Sequence, residues 1–236
     1  MKSRIIYGDC LKVMKRMKDS SVDLIVTDPP YGINYCSNNQ TSTTHSRSTE
    51  ARVDKSYFKK IKGDSLLPTK WISQAYRVLK EGGACYIYCR WDKWGELLEA
   101  VKRVGFKLKN MIVLKKSGRG MGDLKGQYAP QHELILFCTK GRHELVFPIK
   151  RITDVWDVKV LFSARKRFHP NQKHESMIQP IIENSSYKGD IVLDPFFGSG
   201  TTGVVCKRLD RKFIGIEVDR EYWKIAVKRV LGKEVT

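Results

Sequence analysis

Asp28, Pro29, Pro30 and Tyr31 follow directly on the apolar run LIVT, residues 24–27, so an acid, two prolines and an aromatic ring close what reads as a buried strand. Proline fixes its own φ near −65° and biases the preceding residue toward extended geometry, which makes DPP a stiff tip. Neither proline has an N–H. The tip therefore offers acceptors, namely the Asp28 carboxylate and the carbonyls of Pro29 and its neighbours, and an acceptor cluster suits an amino group. An exocyclic base amine is a poor nucleophile because its lone pair is delocalised into the ring. If Asp28 and the Pro29 carbonyl took its two hydrogens, the nitrogen could pyramidalise and aim its lone pair at an electrophile. Tyr31 could stack on the base, a contact worth about 1 to 3 kcal/mol. That is comparable to the few kcal/mol needed to draw a base from a duplex.

A second constellation, Gly198-Ser199-Gly200-Thr201-Thr202-Gly203, spells G-x-G-x-x-G after a strand-like run and before a helix-like one, with Glu217 at the end of the next strand. This is formally a dinucleotide fingerprint, and a nicotinamide dehydrogenase is one reading of it. The physical content is broader: glycines let a nucleoside approach the backbone, and an acid at the neighbouring strand tip accepts from ribose hydroxyls. Asp194-Pro195-Phe196-Phe197 before the glycines builds walls better suited to an adenosyl sulfonium than to a pyrophosphate. No second acid–base constellation for hydride transfer stands out.

The elements around these tips alternate between helical and strand periods, the pattern of one sheet covered on both faces by helices. Cys10, Val13, Met14 and Met17 predict a first helix. Trp71, Ile72, Ala75, Val78 and Leu79 predict another that stops at Gly82-Gly83, followed by the strand ACYIYC. Asp92 is placed to cap a third helix that buries Trp94, Leu97, Leu98 and Val101. MIVLKK and ELILFCTK read as strands around a glycine-rich basic loop. A helix through Met177 and Ile181, the strand DIVLDPF, the glycine loop with its helix, the strand KFIGIEV and a last helix capped by Asp219 complete the pattern. The expected fold is a single α/β domain over residues 1–236.

The 236 residues carry a formal charge of +19 and a pI of about 9.7. Such an excess costs self-repulsion and implies a polyanionic partner such as nucleic acid. Residues 37–49 are polar and aperiodic, too poor in apolar area to offset an ordering cost of about 1 to 2 kcal/mol per residue. Arg52, Lys55, Lys59, Lys60 and Lys62 around Tyr57 and Phe58 suit phosphates and stacked bases. Residues 33–63 are accordingly expected to form a flexible DNA-contacting loop. Six scattered cysteines without a CxxC pair indicate neither a zinc site nor a disulfide framework, and His132-Glu133 has Leu136 where a zinc-peptidase helix needs histidine. No metal is expected. Without an apolar run of membrane-spanning length or a signal-peptide pattern at the start, a cytoplasmic placement is expected.

GDCLKVMKRMKDSSVDLIVTDPPYGINY, HPNQK, GDIVLDPFFGSGTTG and FIGIEVDREY together resemble the amino-specific DNA methyltransferases of the β group, whose catalytic motif precedes the cofactor motif. The resemblance spans most of the chain. It implies a Rossmann-like, permuted, mostly parallel sheet with inserted recognition loops, S-adenosylmethionine as cofactor, double-stranded DNA as partner and dimers as an assembly. By position it makes Asp28, Pro29, Pro30 and Tyr31 the catalytic tip, and Asp194, Phe196, Gly198 and Gly200 the walls on the methionine side of the cofactor. Glu217 falls on the ribose, Asp9 near the adenine and Lys173 near the carboxylate, with Cys10, Asp28, Ser199 and Thr201 in the same cofactor-binding set. DPPY is similar to the adenine-N6 version, whereas the cytosine-N4 version favours serine at the first position; a cytosine-N4 enzyme and a non-catalytic DNA-binding subunit are the alternatives. Two departures are visible. His174 stands where the family's HPxQK usually continues with proline, and the target-recognition segment, residues 141–172, is short.

Overall fold

The computed structural model describes residues 2–31, 69–118, 125–146, 152–158 and 173–233. The expected DNA-contacting loop at 33–63 lies wholly outside them, as does most of the 141–172 segment. Eight strands form one sheet: β1 (Arg4–Tyr7), β2 (Val22–Thr27), β3 (Leu79–Cys89), β4 (Lys107–Lys116), β5 (His132–Thr139), β6 (Val155–Val158), β7 (Ile191–Asp194) and β8 (Lys212–Glu217). Their order is β1-β8-β7-β2-β3-β5-β4-β6. All neighbouring pairs are parallel except the two that β5 makes, with β3 and β4. Among the described strands β5 alone runs backwards, so its first residues share an edge with the last residues of the other seven.

Among the described residues six α-helices cover the sheet: α1 (Cys10–Lys15), α2 (Lys70–Val78), α3 (Trp94–Val104), α4 (Glu175–Ser185), α5 (Thr201–Arg208) and α6 (Arg220–Leu231). Side chains alternate across a strand, and β2 shows it. Ile25 packs in a cluster with Met14, Trp71, Ile72, Leu97 and Val101 of α1 to α3, while Leu24 and Val26 pack with Met177, Ile182, Val205, Ala226 and Val230 of α4 to α6. Full burial of each of the larger aliphatic side chains among these contributes about 1.5 to 3 kcal/mol. The expected doubly covered α/β sheet is present, and no described helix is long and apolar enough to cross a membrane.

Two sequence expectations fail locally. The second helix does not run to Gly82-Gly83; it ends at Val78, and Leu79 already belongs to β3, paired with Val22. Lys140 ends it by donating to the carbonyls of Tyr76 and Leu79 at 2.9 and 2.8 Å, groups a helix C-terminus leaves open. The glycines instead serve the strand: Gly82 has φ +78°, and a Cβ on Gly83 would lie 2.6 Å from Leu79 Cδ1. Nor does Asp92 cap α3. It sits inside a short 3₁₀ turn, Trp91–Lys93, and pairs with Arg90 at 2.8 Å. The expected cap on α6 is present, with Asp219 accepting from the N–H of Glu221 and Tyr222.

Candidate active site

The strand ends bring the two sequence constellations together. Thr27, the last residue of β2, donates its hydroxyl to Asp194, the last of β7, at 3.1 Å. Asp28 follows immediately. Asp194 is 5% exposed and also accepts from the Thr202 hydroxyl at 2.7 Å and the Phe196 N–H at 3.1 Å. It thereby locks the turn that carries the glycines. Burial pushes its carboxyl up to about 7 against these hydrogen bonds.

Asp28 itself is not the open acceptor the sequence suggests. One oxygen accepts the Tyr31 hydroxyl, and the other lies 3.0 Å from Lys173 Nζ. Lys173 continues to Glu133 at 2.8 Å, and Lys116 Nζ lies 3.4 Å from the second Glu133 oxygen. Two carboxylates and two ammonium groups thus alternate across the carboxyl edge. The Lys173 nitrogen also stands 4.8 Å from the centre of the Tyr88 ring, whose hydroxyl is tied to the Met177 carbonyl at 2.9 Å. Desolvation works against the Lys173 charge, but Asp28, Tyr31 and Glu133 hold its pKa well above the ordinary value. Glu133 is pulled down to about 2, because Lys173 and Lys116 outweigh the cost of burial. Asp28 moves the other way: its own burial pushes the carboxyl up against the pull of Lys173 and Tyr31.

Glu133, with Lys116 beside it and Tyr88 under Lys173, is the part of the site that sequence reasoning missed. Its type and its neighbour His132 suggested only an incomplete peptidase signature. What brings it here is the reversed direction of β5, whose register sets Glu133 opposite Leu114 and Leu134 opposite Cys89.

The glycine loop is shaped for a nucleoside ligand. Gly198 has φ +51°, and a Cβ there would meet nothing within 4 Å; the backbone therefore faces open space. Its N–H donates to Glu217 Oε2 at 2.7 Å, and Asp219 N–H donates to the other oxygen at 2.7 Å. This fixes the Glu217 carboxylate at the tip of β8 with lone pairs to spare. Gly200, φ +84°, precedes α5, and a Cβ there would lie 2.8 Å from Val230 and 3.3 Å from Ala226 of α6. Arg229 of α6 donates to the Ser199 carbonyl and to the Thr201 hydroxyl at 3.1 and 3.0 Å. Phe196 packs edge-on against Trp71 at 5.5 Å, and the indole nitrogen of Trp71 is the one buried side-chain polar atom of the described residues without a partner. Buried Asp194, the Asp28 carboxylate and the open face at Gly198 fit an adenosyl group that carries a positive sulfur.

Of the remaining sequence-derived residues, Asp9 caps α1 by accepting the Lys12 N–H at 2.9 Å. Its neighbour Gly8 donates to the Glu217 carbonyl at 2.8 Å, which sets both beside the Glu217 tip. The Cys10 thiol is pushed up to about 12 by burial and by Asp9. Lys173, which the resemblance assigns to the cofactor carboxylate, is held in this structure between Asp28 and Glu133. His174 in the place of proline caps α4 through the Ser176 N–H.

A mostly parallel sheet whose glycine loop and DPPY tip meet at its carboxyl edge defines an S-adenosylmethionine-dependent methyltransferase fold. The chain belongs to the DNA methylase family, whose model matches residues 22–228. It is 34% identical to the type II methyltransferase M2.DpnII of Streptococcus pneumoniae, over 98% of this chain and 91% of that protein. M2.LlaDCHI of Lactococcus lactis subsp. cremoris is also 34% identical, over 96% and 88%. Among solved structures, the M1.HpyAVI–SAM complex superposes with a TM-score of 0.70 at 26% identity, covering 96% of this chain and 98% of that one. The cytosine-N4-specific PvuII DNA methyltransferase gives 0.75 at 16% identity, covering 100% and 89%, a likeness of fold. The chain is an S-adenosylmethionine-dependent DNA methyltransferase of the amino-directed type.

Proposed function

We propose that the target is the N6 amine of adenine, presented as a base turned out of double-stranded DNA. The observation that carries this reading is a carboxylate, Asp28, at the tip of β2, where the cytosine-N4 version of the motif favours serine. Asp28 accepts one amine hydrogen and the Pro29 carbonyl the other, and Tyr31 packs on the ring. Orientation of this kind can supply up to about 7 to 11 kcal/mol of barrier reduction. When bound, S-adenosylmethionine supplies a methyl group on a positively charged sulfur. Gly198 lets it approach the backbone, Gly200 keeps the loop seated on α6, Phe196 walls its methionine side, and Glu217 accepts from its ribose hydroxyls. As the amine nitrogen gains positive charge, Asp28 is the acceptor in place for that charge and for the surplus proton, and burial has already raised its proton affinity. The test is product identity: PCR-amplified DNA methylated by the protein is digested to nucleosides and separated by mass spectrometry. N6-methyldeoxyadenosine is expected; N4-methyldeoxycytidine in its place refutes the adenine reading.

A further inference from the structure

We infer that Glu133 is a positioning residue for methyl transfer, holding the Lys173 ammonium so that Asp28 can release that contact and receive the target amine. This rests on Asp28 being the amine acceptor, as proposed above. Both Asp28 oxygens are engaged, by Tyr31 and by Lys173, so an incoming amine competes with donors already in place. A cation beside the acceptor also opposes the positive charge that the amine nitrogen acquires.

Lys173 cannot move far. Its side chain is 13% exposed, its carbonyl accepts the Thr201 hydroxyl at 3.2 Å, and its ammonium lies over Tyr88. Without a second carboxylate, leaving Asp28 would strand a charge in a desolvated place. Glu133 removes that penalty, since it already accepts from Lys173 at 2.8 Å, closer than the 3.0 Å to Asp28. Lys116 on the far oxygen of Glu133 keeps it ionised and in place. The ammonium then stays paired while the oxygen facing it turns to the base, and the negative charge of Glu133 cancels the field of Lys173 at the reacting nitrogen. A residue serving only as a surface partner for Lys116 would be dispensable for turnover.

The experiment compares Glu133→Gln, Glu133→Asp, Lys173→Gln and the double variant Glu133→Gln/Lys173→Gln with the wild type. PCR-amplified DNA and tritiated methyl donor give kcat, calorimetry gives the Kd for S-adenosylmethionine, and thermal melting checks folding. Glu133→Gln is expected to lower kcat about 10- to 100-fold while changing the cofactor Kd less than about threefold. Glu133→Asp, which keeps the charge on a shorter arm, recovers part of the loss. Removing Glu133 from the Lys173→Gln background costs little more, because no ammonium remains to be held. A kcat for Glu133→Gln within threefold of the wild type overturns the inference, as do additive losses in the double variant. Should Glu133→Gln fail to fold, Glu133→Asp decides: kcat as high as the wild type's, or a loss shared equally by cofactor affinity, overturns it. The wild-type product is identified in the same reactions. Methylcytosine there would sink the adenine reading and leave the Glu133 result standing; a wild type that transfers no methyl removes the amine-acceptor reading and the inference with it.

Discussion

Replacing Asp28 with alanine separates chemistry from folding. The cluster holds Asp28, Glu133, Lys116 and Lys173, two charges of each sign. At 3.0 and 2.8 Å, each Lys173 pairing is worth about 5 to 6 kcal/mol of Coulomb energy at an effective dielectric near 20, before desolvation is counted. In Asp28→Ala, Lys173 loses one pairing and keeps the other, and the variant no longer bears the cost of holding Asp28 ionised. The two effects oppose, so stability should stay within about 1 to 2 kcal/mol of the wild type. Lys173→Met is the contrasting case. It leaves Asp28 and Glu133 facing each other with Lys116 as sole counterion, and a loss of about 3 to 5 kcal/mol is expected. Turnover should invert this order of severity in part, since Asp28→Ala removes the acceptor that the amine needs as it becomes charged. Losing one such oriented group costs about 100- to 1000-fold in kcat. Single-turnover transfer of tritiated methyl to DNA measures the rate, calorimetry the affinity for S-adenosylmethionine, and urea unfolding the stability. A rate within tenfold of the wild type, or a rate loss matched by equal loss of cofactor affinity, would show that Asp28 does not face the reacting amine.

Gly200→Ala combines a positive φ with a Cβ 2.8 Å from Val230, and should lose about 2 to 4 kcal/mol in urea unfolding along with cofactor affinity; a shift below about 0.5 kcal/mol would mean that α6 does not press on the loop. Asp194 titrates near 7 in the folded chain because of its burial, against an ordinary 3.8. The folded state then binds more protons between those values, so this group makes the cofactor-free protein less stable as pH rises from about 4 to 7, by up to about 4 kcal/mol. Asp194→Asn should remove that component, which melting curves of both proteins across the window would show; parallel pH profiles would contradict the assignment. With a formal charge of +19, the affinity for DNA should fall steeply with salt, and a plot of log K against log salt with no slope would exclude phosphate neutralisation as a major part of binding.

The strand tips were legible in the sequence because their chemistry is local. DPPY stiffens itself, the glycines of the 198–203 loop announce a backbone that something must approach, and Asp219 caps the helix that begins at the next residue. Glu133 was not, since its place depends on a strand reversal that no window of residues around it records. The end of α2 was misread for a related reason: Gly82-Gly83 looks like a helix stop, but the carbonyls of Tyr76 and Leu79 are satisfied by Lys140, 61 residues beyond Leu79. Asp28 stands out in the sequence by type and spacing. That both its oxygens are occupied follows in part from Tyr31, three residues on, and in part from Lys173, remote in sequence and brought alongside by α4 and β7.

The contact of Val230 and Ala226 with Gly200, and of Arg229 with Ser199 and Thr201, makes α6 a buttress of the glycine loop and so of the proposed ligand cradle. Fraying of its last turn, by a fused tag or a trimmed terminus, would be felt first as a slackened grip on the methyl donor. The sheet itself, secured by its own packing, would outlast that loss, so a protein that still melts cooperatively could already have lost its ability to mark DNA.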